Sequence, residues 1–236
     1  MTQVKLYSKV AVDLFYEQVK WSIWFFFFVT AAHVIGLVIA SKNNASIQGF
    51  FAFSTYSVAI FMLVCGIIAA YSFLGYYVQQ GITRKDLYAG TVISTFFLAL
   101  AVTLIPLALN GIEHLISTFV TLPIDANTYM IFDLATGWFS ASGMFFLDIF
   151  TFYLIGWLIG IGYYRFGWLI GFGFIAIAMG ALSLNSFFWT GSSMIPWIPF
   201  ISIEVSITLA TVGSLMLITL LLVAIRLLTK RIPIKM

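Results

Sequence analysis

The sequence contains few charged residues. Only 8% of its 236 residues are charged, whereas 62% are hydrophobic and the mean hydropathy is +1.09. A soluble domain carries about 25% charged residues, roughly three times this fraction. So few charges cannot cover a water-facing surface, which excludes an ordinary soluble domain. We therefore expect an integral membrane protein whose main solvent is lipid, with no nucleic acid among its partners.

The sequence also lacks the common catalytic and nucleotide-binding patterns. Its single cysteine, Cys65, has no partner for a disulfide, and the two histidines, His33 and His114, lack the Glu-x-x-His spacing of a metalloprotease. No glycine precedes a lysine, which excludes a P-loop. The stretch 140–143 lacks the glycine that an intramembrane serine protease has two positions before its serine, and both histidines precede it. We expect no catalytic site, metal or cofactor in this chain.

Long apolar segments fill most of the chain. Each is long enough to cross the ~30 Å hydrocarbon core as a helix, which takes about 20 residues. Continuous apolar runs favour helices over the alternating pattern of a membrane barrel. The sequence therefore predicts an all-α polytopic membrane protein, a single domain over 1–236 with six transmembrane helices. The six segments are 21–40, 52–78, 90–109, 138–162, 166–185 and 203–226.

The basic residues predict the orientation of these segments. Basic residues concentrate on the cytoplasmic side of membrane proteins. If the N-terminus is cytoplasmic, only Lys42 falls outside. The predicted cytoplasmic set is Lys5, Lys9, Lys20, Arg84, Lys85, Arg165, Arg226, Lys230, Arg231 and Lys235. This split predicts that both termini of a multi-pass membrane protein are cytoplasmic.

Two stretches outside the apolar segments have patterns of their own. The N-terminal 20 residues contain an amphipathic stretch over 4–20, whose charges fall within about 120° of a helical wheel. We expect it to lie as a separate helix on the inner membrane surface. The segment 186–200 is too apolar for an exposed loop and too interrupted for a span, which favours a re-entrant or interfacial hairpin.

The connection between the second and third segments is short and basic. Gly81 suits the C-terminus of a helix, and Thr83 suits an N-cap whose hydroxyl takes the amide of Lys85 or Asp86. A helix beginning at Arg84 would then run into the membrane. The alternative is a plain basic loop that obeys the charge rule.

Asp148 is an acid in the middle of the fourth segment. A carboxylate near the bilayer centre costs at least ~2.5 kcal/mol, so we expect it to face the bundle or a water-filled cavity, or to stay protonated. It could belong to a translocation path, or it could join helices through a hydrogen bond. The sequence leaves both interpretations open.

Two glycine pairs border the connection between the fourth and fifth segments. Small residues four apart allow helices to approach closely. We expect Gly156 and Gly160, with Gly167 and Gly171, to pack these two helices around a tight turn at 163–165.

Together these features resemble the permease subunits of bacterial type-2 ABC exporters. The overall likeness lies in six spans, cytoplasmic ends, an amphipathic helix before the first span and a broken apolar segment before the last. The local likeness lies in one stretch that is similar to the Gly-x-Ser/Thr-Arg-Lys sequence between the second and third spans of these permeases. This stretch is Gly81, Ile82, Thr83, Arg84, Lys85, Asp86 and Leu87.

The resemblance implies that this chain is one subunit of a larger transporter. Residues 79–88 would form a coupling helix that docks on a separate cytoplasmic ABC ATPase, with 4–20 alongside. That ATPase would bind ATP and Mg, and two permease chains, identical or related, would form the path for a hydrophobic or amphipathic substrate such as a peptide, an antimicrobial or a lipid-like molecule. The rival hypothesis is an ion-coupled carrier or a membrane scaffold. A carrier is expected to show paired intramembrane ions and internal repeats, and the halves 1–118 and 119–236 show no repeat.

Overall fold

A computed structural model describes residues 6–125, 132, 137–191 and 205–230. These residues are almost entirely helical, and no strand occurs among them beyond one isolated bridge between Ile47 and Ile124. Five helical stretches are long and apolar enough to cross a membrane. The predicted all-α, membrane-type architecture is confirmed at this level. The elements are α1 (Leu6–Lys42), α2 (Phe50–Ile68), a π-helix (Ala69–Phe73), α3 (Leu74–Gln79), α4 (Arg84–Ser117), α5 (Trp138–Thr190) and α6 (Ile207–Lys230).

The long helix α5 is folded back on itself at Gly167. This residue has φ 81° and ψ −176°, a conformation that essentially only glycine adopts. The first arm, 138–166, and the second arm, 168–190, lie side by side: Asn185 hydrogen-bonds Asp148, although 37 helical residues would separate them by about 55 Å in a straight helix. The prediction of a turn at 163–165 is therefore wrong. These residues are still helical, and the break comes at Gly167.

The first helix is continuous from Leu6 to Lys42. Val10 packs against Gly90 near the start of α4, and His33 contacts Glu113 near its end. Both intervals are 23 residues, so α1 runs parallel to α4 for about 35 Å. Residues 6–20 are thus the first part of a long packed helix, and these residues form no separate interfacial helix. The reason is local: no glycine or proline interrupts the chain before the last two turns of α1.

Two of the four glycines in the first arm of α5, Gly156 and Gly160, pack against α2. A Cβ at Gly156 would collide with the carbonyl of Leu63, and a Cβ at Gly160 would lie 2.7 Å from the carbonyl oxygen of Ile67. The first pair was expected to join the fourth and fifth segments, and this prediction is wrong. Of the second pair, Gly171 does face the first arm, since a Cβ there would lie 2.7 Å from the Tyr163 ring. Close backbone contact therefore fixes α2 parallel to the first arm.

A buried hydrogen bond joins α1 to the same arm. The amide Nε2 of Gln18 donates to the hydroxyl of Tyr153 at 2.7 Å, and both side chains are fully buried. The opposite face of α1 exposes large aromatic side chains, among them Trp24, Phe27 and Phe28. A helix with a buried polar contact on one face and exposed rings on the other is typical of a helix that faces lipid.

Several basic residues gather at one end of the bundle. Arg84 donates to the carbonyl of Lys230 at 3.3 Å, and Arg165 donates to the carbonyl of Leu228 at 2.8 Å. The α3–α4 turn and the turn at Gly167 therefore lie near the end of α6. The start of α1 lies at the same end, since Val10 contacts Gly90. Lys42 is at the other end, beyond the contact of α1 with Glu113. Three of the predicted cytoplasmic residues lie outside the described part of the chain: Lys5, Arg231 and Lys235.

The predicted segments and the observed helices end at different residues. The third segment, 90–109, lies within the longer α4, and the last, 203–226, lies in α6 except for its first residues. The first five residues of the predicted hairpin 186–200 complete α5, which ends at Gly191 with φ 68°. Residues 192–204, and with them most of this hairpin, lie outside the described residues.

Candidate functional site

The connection between α3 and α4 is a rigid turn. Gly81 has φ 83°, and its amide donates to the carbonyl of Val78 at 3.0 Å. The next amide, of Ile82, donates to the carbonyl of Tyr77 at 3.1 Å. This pair of hydrogen bonds is the Schellman motif, which ends a helix at a left-handed residue. The predicted role of Gly81 at a helix C-terminus is confirmed.

Thr83 starts the following helix. Its hydroxyl oxygen accepts the amide of Asp86 at 3.1 Å, and the hydroxyl donates to the Asp86 carboxylate at 2.6 Å. This is the N-cap that the sequence predicts, and α4 begins at Arg84 as expected. Leu87 anchors the first turn in the core. However, 79–88 holds no separate coupling helix: it consists of the end of α3, the turn and the first turn of one long helix.

Some side chains of this turn contact the rest of the bundle, and others are exposed. Arg84 is half-buried and reaches the carbonyl of Lys230, so it ties α4 to α6. Gly81, Thr83 and Lys85 are exposed, and Lys85 has no hydrogen bond or ion pair within the described residues. The turn therefore presents a free ammonium group and a short stretch of backbone on a fixed support.

Asp148 is buried between the two arms of α5. Its carboxylate accepts a 2.6 Å hydrogen bond from the Asn185 amide, and both residues are less than 10% exposed. This contact favours the interpretation in which Asp148 joins helices. A turn at 163–165 would not align Asp148 with Asn185, so the sequence reading does not reveal this partner. Counted from Gly167, Asp148 lies nineteen residues before the turn and Asn185 eighteen after it, which brings them to the same level.

A largely buried pair that sequence reasoning missed lies at the opposite end of the bundle. The Nε2 atom of His33 is 2.7 Å from one carboxylate oxygen of Glu113, and the two side chains are 4% and 10% exposed. The other oxygen accepts the amide of Phe50 at 2.7 Å. Because Gly49 offers no side-chain cap, Glu113 caps the N-terminus of α2 from a neighbouring helix.

His33 has an acidic partner although it lacks the Glu-x-x-His spacing. Eighty positions separate it from Glu113, so no local motif signals the pair. A weaker signal exists, since the first and third predicted segments run in the same direction and these two residues lie toward their outer ends.

The described residues thus offer a rigid basic turn at one end, a buried Asp148–Asn185 contact and a buried His33–Glu113 pair at the other end. No family model, curated protein or solved structure matches this chain. Its function is therefore argued from this geometry and from the sequence.

Proposed function

We propose that this chain is the membrane-spanning permease subunit of an ATP-driven exporter of the type-2 ABC kind, in a bacterial plasma membrane. The observation that carries the proposal is the capped, exposed turn around Gly81 and Lys85, placed at the basic end of the bundle. A chain without a P-loop needs a separate source of energy, and this turn is a rigid surface able to receive it.

The hairpin in α5 supports a six-span topology. Its two arms, of 29 and 23 residues by number, are each long enough to cross the hydrocarbon core. With α1, the α2–α3 stretch, α4 and α6, they give six crossings. The end that holds Arg84, Arg165 and Lys230 then faces the cytoplasm, together with both termini.

The continuity of α4 suggests how force reaches the membrane. This helix is 34 residues long, about 50 Å, and it begins immediately after the turn. Because hydrogen bonds cap the turn on both sides, a force applied to it moves α4, whereas a flexible loop would absorb the movement. Arg84 passes the movement to α6 through the carbonyl of Lys230.

The complete transporter would contain two such permease chains, identical or related, and two cytoplasmic ATPases that bind ATP and Mg. Surrounding lipid would contact the exposed aromatic face of α1. The aromatic and weakly charged helices suit a hydrophobic or amphipathic substrate, such as a peptide, an antimicrobial or a lipid-like molecule.

The most informative variant is Lys85→Glu. We expect the chain, purified with its ATPase, to lose most of its stimulated ATP hydrolysis, because the variant reverses the one free charge of the turn and breaks no described contact. Replacing Arg84 is less informative, since that side chain also holds α6. The matched control is Lys42→Glu, an exposed lysine at the opposite end. Unaltered hydrolysis in Lys85→Glu, with normal membrane insertion, would show that the turn is only a topological anchor.

The second candidate is an ion-coupled carrier, which the buried His33–Glu113 pair favours. It makes the opposite prediction in the same preparation. A carrier transports when reconstituted alone under a proton gradient, and Glu113→Gln abolishes that transport, whereas the permease requires the ATPase. A scaffold would transport in neither case.

A further inference from the structure

A groove lies between α1 and the α2–α3 stretch, beside the turn around Gly81. It has a volume of about 520 Å³. Its lining includes the aromatic side chains of Trp21, Phe73, Tyr76 and Tyr77, and the acids Asp13 and Glu17 line it from α1. We call it the aromatic groove.

The rings of the aromatic groove form an ordered wall. Trp21 stacks on Phe73 with centroids 6.1 Å apart, and Tyr76 meets Tyr77 edge to face at 5.2 Å. Phe73 belongs to the π-helix, a local widening of the helix that occurs frequently at functional sites. The faces of such rings are electron-rich and attract cations, tryptophan most strongly.

The two carboxylates add negative charge to this wall. Glu17 pairs with Lys20 at 2.7 Å, whereas Asp13 is exposed and has no hydrogen bond or ion pair within the described residues. The lysine also places its ammonium 4.4 Å from the centre of the Tyr16 ring, another residue of the groove. The Lys20 ammonium thus already contacts one acid and one ring of the groove. No described cation contacts Asp13 or the ring of Trp21.

We propose that the aromatic groove binds an organic cation, an ammonium ion that carries alkyl or aryl groups. The charge is held by Asp13 and Glu17, and the carbon substituents lie against Trp21 and Tyr76. An inorganic ion has no carbon substituents to pack against the rings, and a neutral apolar molecule has no charge to pair with the acids. The cation is either a soluble amine or the headgroup ammonium of a membrane lipid. This inference stands independently of the exporter proposal.

Binding is measured by equilibrium dialysis on the full chain in a neutral maltoside detergent, with radiolabelled choline as the probe. Choline has a matched uncharged analogue, 3,3-dimethyl-1-butanol, which serves as the competitor. We expect choline to bind and its analogue not to displace it. Asp13→Asn combined with Glu17→Gln should weaken binding about tenfold or more, because both anions are lost. Lys20→Gln should tighten binding several-fold, because the internal competitor is removed.

Two tyrosines provide a matched pair for the aromatic wall. Tyr76→Ala should weaken binding several-fold, whereas Tyr71→Ala, at an equally exposed tyrosine outside the groove, should leave it unchanged. Absence of choline binding would overturn the proposal, as would equal competition by the uncharged analogue or wild-type affinity in the double acid variant. Competition by dihexanoylphosphatidylcholine at lower concentration than choline itself identifies the lipid headgroup as the source; weaker competition identifies a soluble amine.

Discussion

At the scale of single residues, three hydrogen bonds join polar side chains of different helical segments. Gln18 meets Tyr153, His33 meets Glu113, and Asp148 meets Asn185. Lipid offers no hydrogen-bond partner, so a polar side chain at membrane depth bonds either its own helix, as Thr91 bonds the carbonyl of Leu87, or another segment, as in these three pairs. Each pair therefore fixes the register of two segments, which apolar packing alone specifies less strictly.

The Asp148–Asn185 contact should be measurable as a coupling energy. We expect the double-mutant cycle of Asp148→Ala and Asn185→Ala to give about 0.5–2 kcal/mol in thermal unfolding in detergent, the range of hydrogen bonds between transmembrane helices. Ser183→Ala is the matched control, since Ser183 is buried in the same arm and its hydroxyl has no described hydrogen bond. Strictly additive effects of the two alanines would mean that the contact does not join the arms.

At the scale of elements, a few backbone positions decide where helices end. Gly81 ends α3, Thr83 starts α4, Gly167 divides α5 and Gly191 ends it. In contrast, α1 has no such residue before its last two turns and continues through the boundary expected after residue 20. The lengths of the helices follow from these breaks, not from the ends of the apolar runs.

The hairpin in α5 should depend on Gly167. Its φ and ψ lie in a region that costs other residues about 1–3 kcal/mol, so Gly167→Ala should lower the free energy of unfolding by this amount. Gly173→Ala is the matched control, because Gly173 is helical and open space surrounds the position where its Cβ would lie. Thermal unfolding in detergent measures both. If the two variants behave alike, the break at Gly167 imposes no strain on an alanine.

The sequence predicts most of the helices and two of their caps, but few of the contacts between helices. The apolar segments and the caps at Gly81 and Thr83 are visible because each rests on a local rule: length, a left-handed glycine or a capping hydroxyl. The sequence does not reveal the turn at Gly167, because the aromatic and basic residues before it resemble a membrane boundary. The His33–Glu113 contact and the aromatic groove depend on how helices distant in sequence are aligned, which no local pattern encodes.

At the scale of the whole molecule, the two ends of the bundle differ. One end gathers Arg84, Arg165 and Lys230, the capped turn and the aromatic groove. The other end holds the His33–Glu113 pair, and the Ile47–Ile124 bridge connects two of its loops. The exporter proposal assigns the docking of a cytoplasmic partner to the basic end, where the capped turn is exposed.

The most direct test of this proposal is photo-crosslinking from position 85 in intact cells. A crosslinking residue in place of Lys85 should yield an adduct with a soluble protein that hydrolyses ATP and carries a Walker motif, identified by mass spectrometry. The same residue in place of Lys42, at the other end of the bundle, should give no such adduct. Failure to recover an ATPase from position 85, or equal recovery from both positions, would contradict the account.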